Sequence, residues 1–387
     1  MSIKNKKVLI AFYDSFHTCP RPKRLFTYLS KHNEVDILSK DFHPFPEINH
    51  FFVLKRSVSK LMQYFLRILV RFHLVGIAAR IEEKRIFSNL PPGCLREYDY
   101  IFVHDISLLC LFKHCPQPIV YDAREFYPLM FAEDASFRAY DAPIYDYWCR
   151  TLVPKFPCKI TVSELVVKKY QEVYGAQFYN FPSFPLRSFL EKAGETGIKT
   201  SDGCSKLRLI YHGAAHKDRN IEKLIELGTY LSPGIELHLM LKPYDRGYFK
   251  ALKSLVEKTS SVTLLPPVAF EDIIPFIADY DIGIHLLENQ ENQHAISLPN
   301  KFFEYLGAGL MLVTAGSKEM YNYVQKFNLG VAFDTEVDLK ILAETINKLD
   351  RVQVTKFREH NKKCAEQFVF ERAAPALFEY IDSLRKP

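Results

Sequence analysis

Short apolar runs alternate with longer stretches of helical periodicity along most of this 387-residue chain. In the first half, KVLIAF (7–12), EVDIL (34–38), YIFV (100–103), PIVY (118–121) and KITV (159–162) predict strands. In the second half LRLIY (207–211), IELHLML (235–241), VTLL (262–265), DIGIHLL (281–287), LMLVT (310–314) and GVAF (330–333) do the same. Several of these runs are apolar without alternation, the pattern of parallel strands covered on both faces. Helical patterns such as 163–174 and 219–231 lie between them. Strand–helix–strand repetition predicts an α/β fold with parallel sheets and right-handed crossovers.

The length exceeds that of one typical domain, so two doubly wound domains are expected. The stretch 187–206 is polar, contains glycine and lacks periodicity, so it reads as a linker. The expected division is 1–186, linker 187–206, a second domain over 207–353, and helices over 354–387 that cross back to the first domain. Ligands are expected at the carboxyl ends of the strands, where the two sheets face a common cleft.

Composition is that of an ordinary globular protein, with 48% hydrophobic and 25% charged residues. The opening MSIKNKKVLIAF reads as a first strand rather than a signal peptide, and no apolar run reaches membrane-spanning length. The eight cysteines form no C-x-x-C pair and read as buried free thiols of a cytosolic protein. The net charge of +6 is concentrated. Residues 55–85 hold Lys55, Arg56, Lys60, Arg67, Arg71, Arg80, Lys84 and Arg85 against Glu82 and Glu83, an excess equal to that of the whole chain. Leu, Phe and Ile are interleaved with these cations at helical spacing. Two readings fit: a surface for peripheral contact with an anionic membrane or lipid-linked acceptor, or helices packed on the first sheet with Arg stems covering apolar surface. Nucleic acid is not an expected partner, because no recognition motif accompanies the charge.

The candidate chemistry lies mainly in the second half. In SLPNKFFEYLGAGLMLVT (297–314), Ser297 reads as a helix cap, Pro299 and Asn300 as the first turn, and Gly307 and Gly309 as the stop. A helix N-terminus with Lys301 beside it is suited to an anion, and Glu304 to the two hydroxyls of a ribose. A plain amphipathic helix with a surface Glu304 fits the local pattern equally well. In LIYHGAAHKDRNIEKLIEL (209–227), a strand leads through a Gly213 turn to a helix beginning near Asn220. Arg219 there would place a cation at an unfavourable helix end unless a phosphate lies between them.

These two stretches resemble the C-terminal-domain signature of GT-B glycosyltransferases of family 4. The resemblance covers nearly the whole chain, tightly over 205–335. It implies GT-B architecture, two Rossmann-like domains, with a nucleotide sugar held by Gly213, Ala214, Arg219, Lys242, Pro299, Asn300, Lys301 and Glu304. Two positions depart from the pattern. Ile296 stands where relatives carry the first Glu of Glu-x7-Glu, with Glu288 and Glu291 nearby, and Ala214 stands where many carry Arg, leaving Lys217 or Lys242 to supply the charge.

The first half resembles the family more loosely, through YDSFHTCPRPKRLFTYL (13–29), YIFVHDISLL (100–109), VYDAREFYP (120–128), ITVSELVVKKYQEVYG (160–175) and YNFP (179–182). It implies an acceptor side that involves His104, Asp105, Asp122, Arg124 and Glu125, each of which would equally serve as a cap at a strand end.

The resemblance implies transfer of a sugar from a nucleotide-sugar donor to a glycan or lipid-linked glycan in cell-surface polysaccharide synthesis. Configuration would be retained, with no cofactor or metal. The expected setting is the cytoplasm or the inner face of the cell membrane. Arg219 and Lys301 would neutralise the leaving diphosphate; Asp122 or Glu125 would be the base if the reaction inverts. Asp279-Tyr280-Asp281 is formally Asp-x-Asp but reads as a turn into a strand. An epimerase on the same fold and a non-catalytic scaffold are the competing readings.

Overall fold

The computed structural model describes residues 4–16, 19–41, 47–55, 59–195, 206–287, 293–296 and 298–384. Ser297, Glu288, Glu291, Arg56 and Cys204 lie outside them. The chain forms two compact units, Met1–Pro182 with Ala373–Pro387, and Ser183–Arg372.

The first unit holds seven strands: β1 (Lys7–Ala11), β2 (Glu34–Ser39), β3 (Phe51–Val53), β4 (Tyr100–Val103), β5 (Ile119–Ala123), β6 (Cys158–Thr161) and β7 (Tyr179–Asn180). They pair in parallel in the order β3-β2-β1-β4-β5-β6-β7. The central strands β4 and β5 are buried along their whole length, which is why they read as unbroken apolar runs. The pattern of apolar positions does not reveal β3 and β7. They are half-buried edge strands of three and two residues, too short to show a period. Residues from Ala373 onward belong to this unit: Phe378 stacks on Tyr28 and meets Phe102 edge-on, Tyr380 stacks on Tyr179, and Tyr100 donates to Asp382.

The second unit holds β8 (Leu207–Ala215), β9 (Ile235–Pro243), β10 (Val262–Leu265), β11 (Ile282–Leu286), β12 (Met311–Ala315) and β13 (Gly330–Phe333). All are parallel, in the order β10-β9-β8-β11-β12-β13. Its core includes Leu209, Leu237, Leu239, Ile282, Ile284 and Val313, roofed by Leu224, Leu252, Leu342 and Val354 from the covering helices. Arg187–Glu195, within the stretch read as linker, is a helix. Arg351–Ala365 belongs to this unit, and its Asp350–Gln353 capping box fixes the start of the helix.

Asp281 follows the turn expected of it. At the amino end of β11 its carboxylate accepts from the Arg208 backbone N at 2.9 Å and pairs with Arg351 and Arg358 at 2.5 and 3.4 Å. Being only 3% exposed, it ties sheet to helix on the edge opposite the strand carboxyl ends. Six described cysteines are buried free thiols and Cys115 is half-buried.

Candidate functional site

In the second sheet the strand order reverses between β8 and β11, and it is beyond the carboxyl ends at such a point that open α/β sheets bind ligands. Here the chain differs from its sequence reading in two details. The strand does not end before Gly213; β8 continues to Ala215, with Gly213 paired to Leu241 and Ala214 to Lys242. The helix that carries Lys301 and Glu304 begins at Asn300, with Pro299 as its N-cap and no side-chain cap.

Gly213 has φ +152, and a Cβ at that position would stand 3.1 Å from Lys301 Nζ. The glycine therefore lets the ammonium lie against the strand, 3.9 Å from the centre of the Tyr211 ring. Lys301 is 8% exposed. Burial first, then the nearby Arg219 cation, pushes its pKa well below the ordinary lysine range, and Glu304 and Asp218 only partly offset this.

Arg219 ends the 3-10 turn Lys217–Arg219, before the helix Ile221–Tyr230. Asn220 makes the turn possible by adopting a left-handed conformation, φ 43 and ψ 50. The guanidinium is held from two sides: its Nε lies 3.6 Å from Asp218 Oδ1 and its Nη1 3.4 Å from His294 Nδ1. Asp218 sits between His216 Nδ1 at 2.5 Å and His294 Nε2 at 2.9 Å. Burial would raise its carboxyl, but His294, Arg219 and His216 together hold it well below the usual carboxylate range.

Glu304 is 4% exposed and lies in the second turn of the helix, its Oε2 3.3 Å from His212 Nε2. Burial, then Lys301, pushes His212 down to about 3, so the ring is neutral. Tyr305 fastens the helix to the sheet: its hydroxyl accepts from the His212 backbone N at 3.2 Å and donates to the Ile284 carbonyl at 3.3 Å. Gly283 makes room for that ring, since a Cβ there would stand 2.4 Å from Tyr305 Cγ. Gly283→Ala is therefore expected to cost about 1–3 kcal/mol by overpacking and to lower the thermal midpoint of unfolding. An unchanged midpoint would show that the helix is not seated by this contact.

In the first unit a second polar cluster lies at the carboxyl ends of β4 and β5. Asp122, the fourth residue of β5, is 2% exposed. Its Oδ2 accepts from Arg21 Nε at 2.6 Å and lies 2.8 Å from His104 Nδ1. Burial would raise the carboxyl, but Arg21 and His104 outweigh it and hold it well below the usual range. Burial lowers the His104 pKa further than Asp122 raises it. The buried Nε2 of His104 has no hydrogen-bond partner. Arg124 donates from Nη1 to Cys19 Sγ at 2.9 Å. Asp105 caps the turn Ile106–Leu108, accepting from Ser107 N at 2.9 Å and Ser107 Oγ at 2.6 Å.

The structure thus gathers Gly213, Arg219, Lys301 and Glu304 at one end of β8, and His104 and Asp122 at one end of the first sheet, with Arg124 and Glu125 on the segment that follows β5. Lys242 lies on β9 beside Ala214 and is exposed, as is Lys217. Sequence reading did not single out Arg21, Asp218, His212 or His294. His294 is 76 residues from Asp218, so only folding brings the two together. Arg21 has a weaker sequence signal, as one of three cations clustered in PRPKR at the start of the helix Pro20–Leu29; the structure shows all three to be buried.

No protein-family model matches the chain, and no curated protein sequence matches it. Solved structures do. Trehalose 6-phosphate synthase from Burkholderia multivorans superposes with TM-score 0.68 at 10% identity, over 98% of this chain and 99% of that one. Anabaena HepE in complex with UDP-glucose superposes with TM-score 0.67 at 13% identity, over 98% and 100%. WaaG, a glycosyltransferase involved in lipopolysaccharide biosynthesis, superposes with TM-score 0.62 at 14% identity, over 96% and 98%. The chain therefore has the α/β GT-B architecture of two Rossmann-like units.

Proposed function

We propose that this chain is a glycosyltransferase that takes a sugar from a nucleotide-sugar donor. The observation that carries the reading is the convergence of Lys301, Arg219 and the start of the helix Asn300–Gly307 at the switch point of the second sheet. A lysine buried beside an arginine is costly in isolation. A diphosphate placed between them turns that cost into charge-assisted hydrogen bonds. The solved structure of HepE with UDP-glucose, on the same fold, supports a UDP-sugar as the first donor to test.

Glycosyl transfer puts positive charge on the sugar and negative charge on the departing diphosphate. Lys301, Arg219 and helix N–H groups stabilise the latter without reorganising, and the reading needs no metal. His294 and Asp218 hold Arg219 in place. Glu304, beside His212, takes the ribose. The acceptor, a glycan or a lipid-linked glycan of cell-surface polysaccharide synthesis, meets the first unit at His104, Asp122, Arg124 and Glu125. Retention of configuration is the stereochemistry proposed. If the reaction inverts, Asp122 is occupied by Arg21, and Glu125 or His104, whose buried Nε2 has no hydrogen-bond partner, takes the role of base.

A thermal-shift screen of UDP-, GDP- and CMP-sugars identifies the donor, since a ligand of the native state raises its melting temperature. Arg219→Ala is then expected to lower kcat/KM about 100-fold, the equivalent of about 2.7 kcal/mol for a charged contact in a dry site. Arg219→Lys should recover only part, because the forked contact is lost. Near-normal turnover by a folded Arg219→Ala protein would remove this residue from the mechanism. Free sugar or an isomerised donor, formed without any acceptor, would point instead to an epimerase.

A further inference from the structure

We infer that the helix Lys60–Arg71 docks this protein on an anionic lipid bilayer through its outward face, Leu61, Phe65, Ile68 and Phe72. The inference deepens the acceptor side of the proposed function and does not depend on the donor chemistry.

The helix packs on its own unit through a narrow stripe, with only Leu66 and Val70 buried. Positions 61, 65, 68 and 72 follow i, i+4, i+7, i+11 and form a second apolar stripe. That stripe faces outward: Leu61 is 79% exposed, Phe65 46% and Phe72 69%, with Ile68 half-buried between them. Among the described residues, six of the seventeen exposed large hydrophobic side chains fall between Leu61 and Ile77. An apolar patch of this kind on a surface helix marks an interaction site.

The charge beside the patch identifies its partner. Lys60 and Arg71 stand at i and i+11 along one edge of the stripe, Arg67 between them lies over the Tyr140 ring, and Lys55, Arg80 and Lys84 are also exposed. No Asp or Glu occurs from residue 48 to residue 81. A second copy of the chain meeting this face across a two-fold axis would bring like charges together. A bilayer with anionic headgroups meets both features at once: side chains such as Phe65 and Phe72 enter the acyl boundary while the flanking cations face phosphates. No helix among the described residues is long and apolar enough to cross a membrane, so contact of this kind is interfacial.

The test is co-sedimentation of the full chain with vesicles of phosphatidylcholine alone and of phosphatidylcholine mixed with phosphatidylglycerol. Binding is expected to the mixed vesicles, weakening as salt rises, and not to phosphatidylcholine alone. Phe65→Glu and Phe72→Glu should each lower the lipid partition coefficient at least 10-fold, and Lys60→Ala or Arg71→Ala about fivefold each. Melting temperature and donor binding, measured on the same variants, should be unchanged, which separates this result from the fate of the transferase reading. Equal sedimentation of the native chain and Phe65→Glu, or no sedimentation with mixed vesicles, would overturn the inference. So would a dimer in analytical ultracentrifugation that Phe65→Glu dissociates, because the face would then be covered by protein.

Discussion

Replacing Lys301 by methionine is expected to weaken binding of the nucleoside diphosphate by about 100-fold or more, while the protein melts at the same or a higher temperature. The two effects share one cause. Lys301 is buried against Tyr211 and Gly213, next to Arg219, so in the free protein its ammonium form is strongly disfavoured. Methionine keeps most of the volume and removes the cost of burying a charge. What disappears is the cation that a diphosphate would restore. The same reasoning predicts proton uptake. An arriving diphosphate raises the depressed pKa of Lys301, so the lysine gains a proton as the ligand binds, and affinity falls as pH rises above its free-state value. Isothermal titration in buffers of different ionisation enthalpy measures this uptake; Lys301→Met should abolish it. Unchanged affinity and unchanged proton uptake in the variant would place the diphosphate elsewhere.

Asp122→Ala is expected to destabilise the first unit by about 3–5 kcal/mol, because it leaves the Arg21 guanidinium buried without its main counter-ion. Asp122→Asn should cost less, since the amide oxygen still accepts from Arg21 Nε. The pH dependence has a definite sign. The folded carboxyl lies below its ordinary value of 3.8, so Asp122 contributes stability in full above that value and loses it as pH falls toward the folded pKa. Denaturant unfolding of the native chain between neutral pH and pH about 3 should therefore show a loss of stability that Asp122→Ala lacks. Equal slopes in the two proteins would mean that Asp122 and Arg21 are not coupled.

Local pattern revealed the central strands because each is apolar on both faces; β4 and β5 are covered throughout and read as unbroken runs. The edge strands β3 and β7 carry no such signal, since a half-buried strand of two or three residues is indistinguishable from loop. The same contrast holds for the candidate site. Lys301 and Arg219 stand out in sequence because a cation near a helix start, whether after Pro299 or after Gly213, is a local arrangement. Their local readings still erred on where elements begin and end: Gly213 is inside β8, paired with Leu241, and Pro299 is a cap rather than part of the first turn.

The sequence by itself determined the α/β class, the parallel sheets and the runs that form their central strands, all of which depend on periodicity and short-range spacing. Only the tertiary structure decided which charges meet. His294 reaches Asp218 across 76 residues, Arg21 reaches Asp122 across 101, and the outward stripe of Lys60–Arg71 is recognisable only once Leu66 and Val70 are seen to bury the other side. Ion pairing and burial are properties of surfaces brought together by folding, and a linear chain does not specify them until its elements have packed.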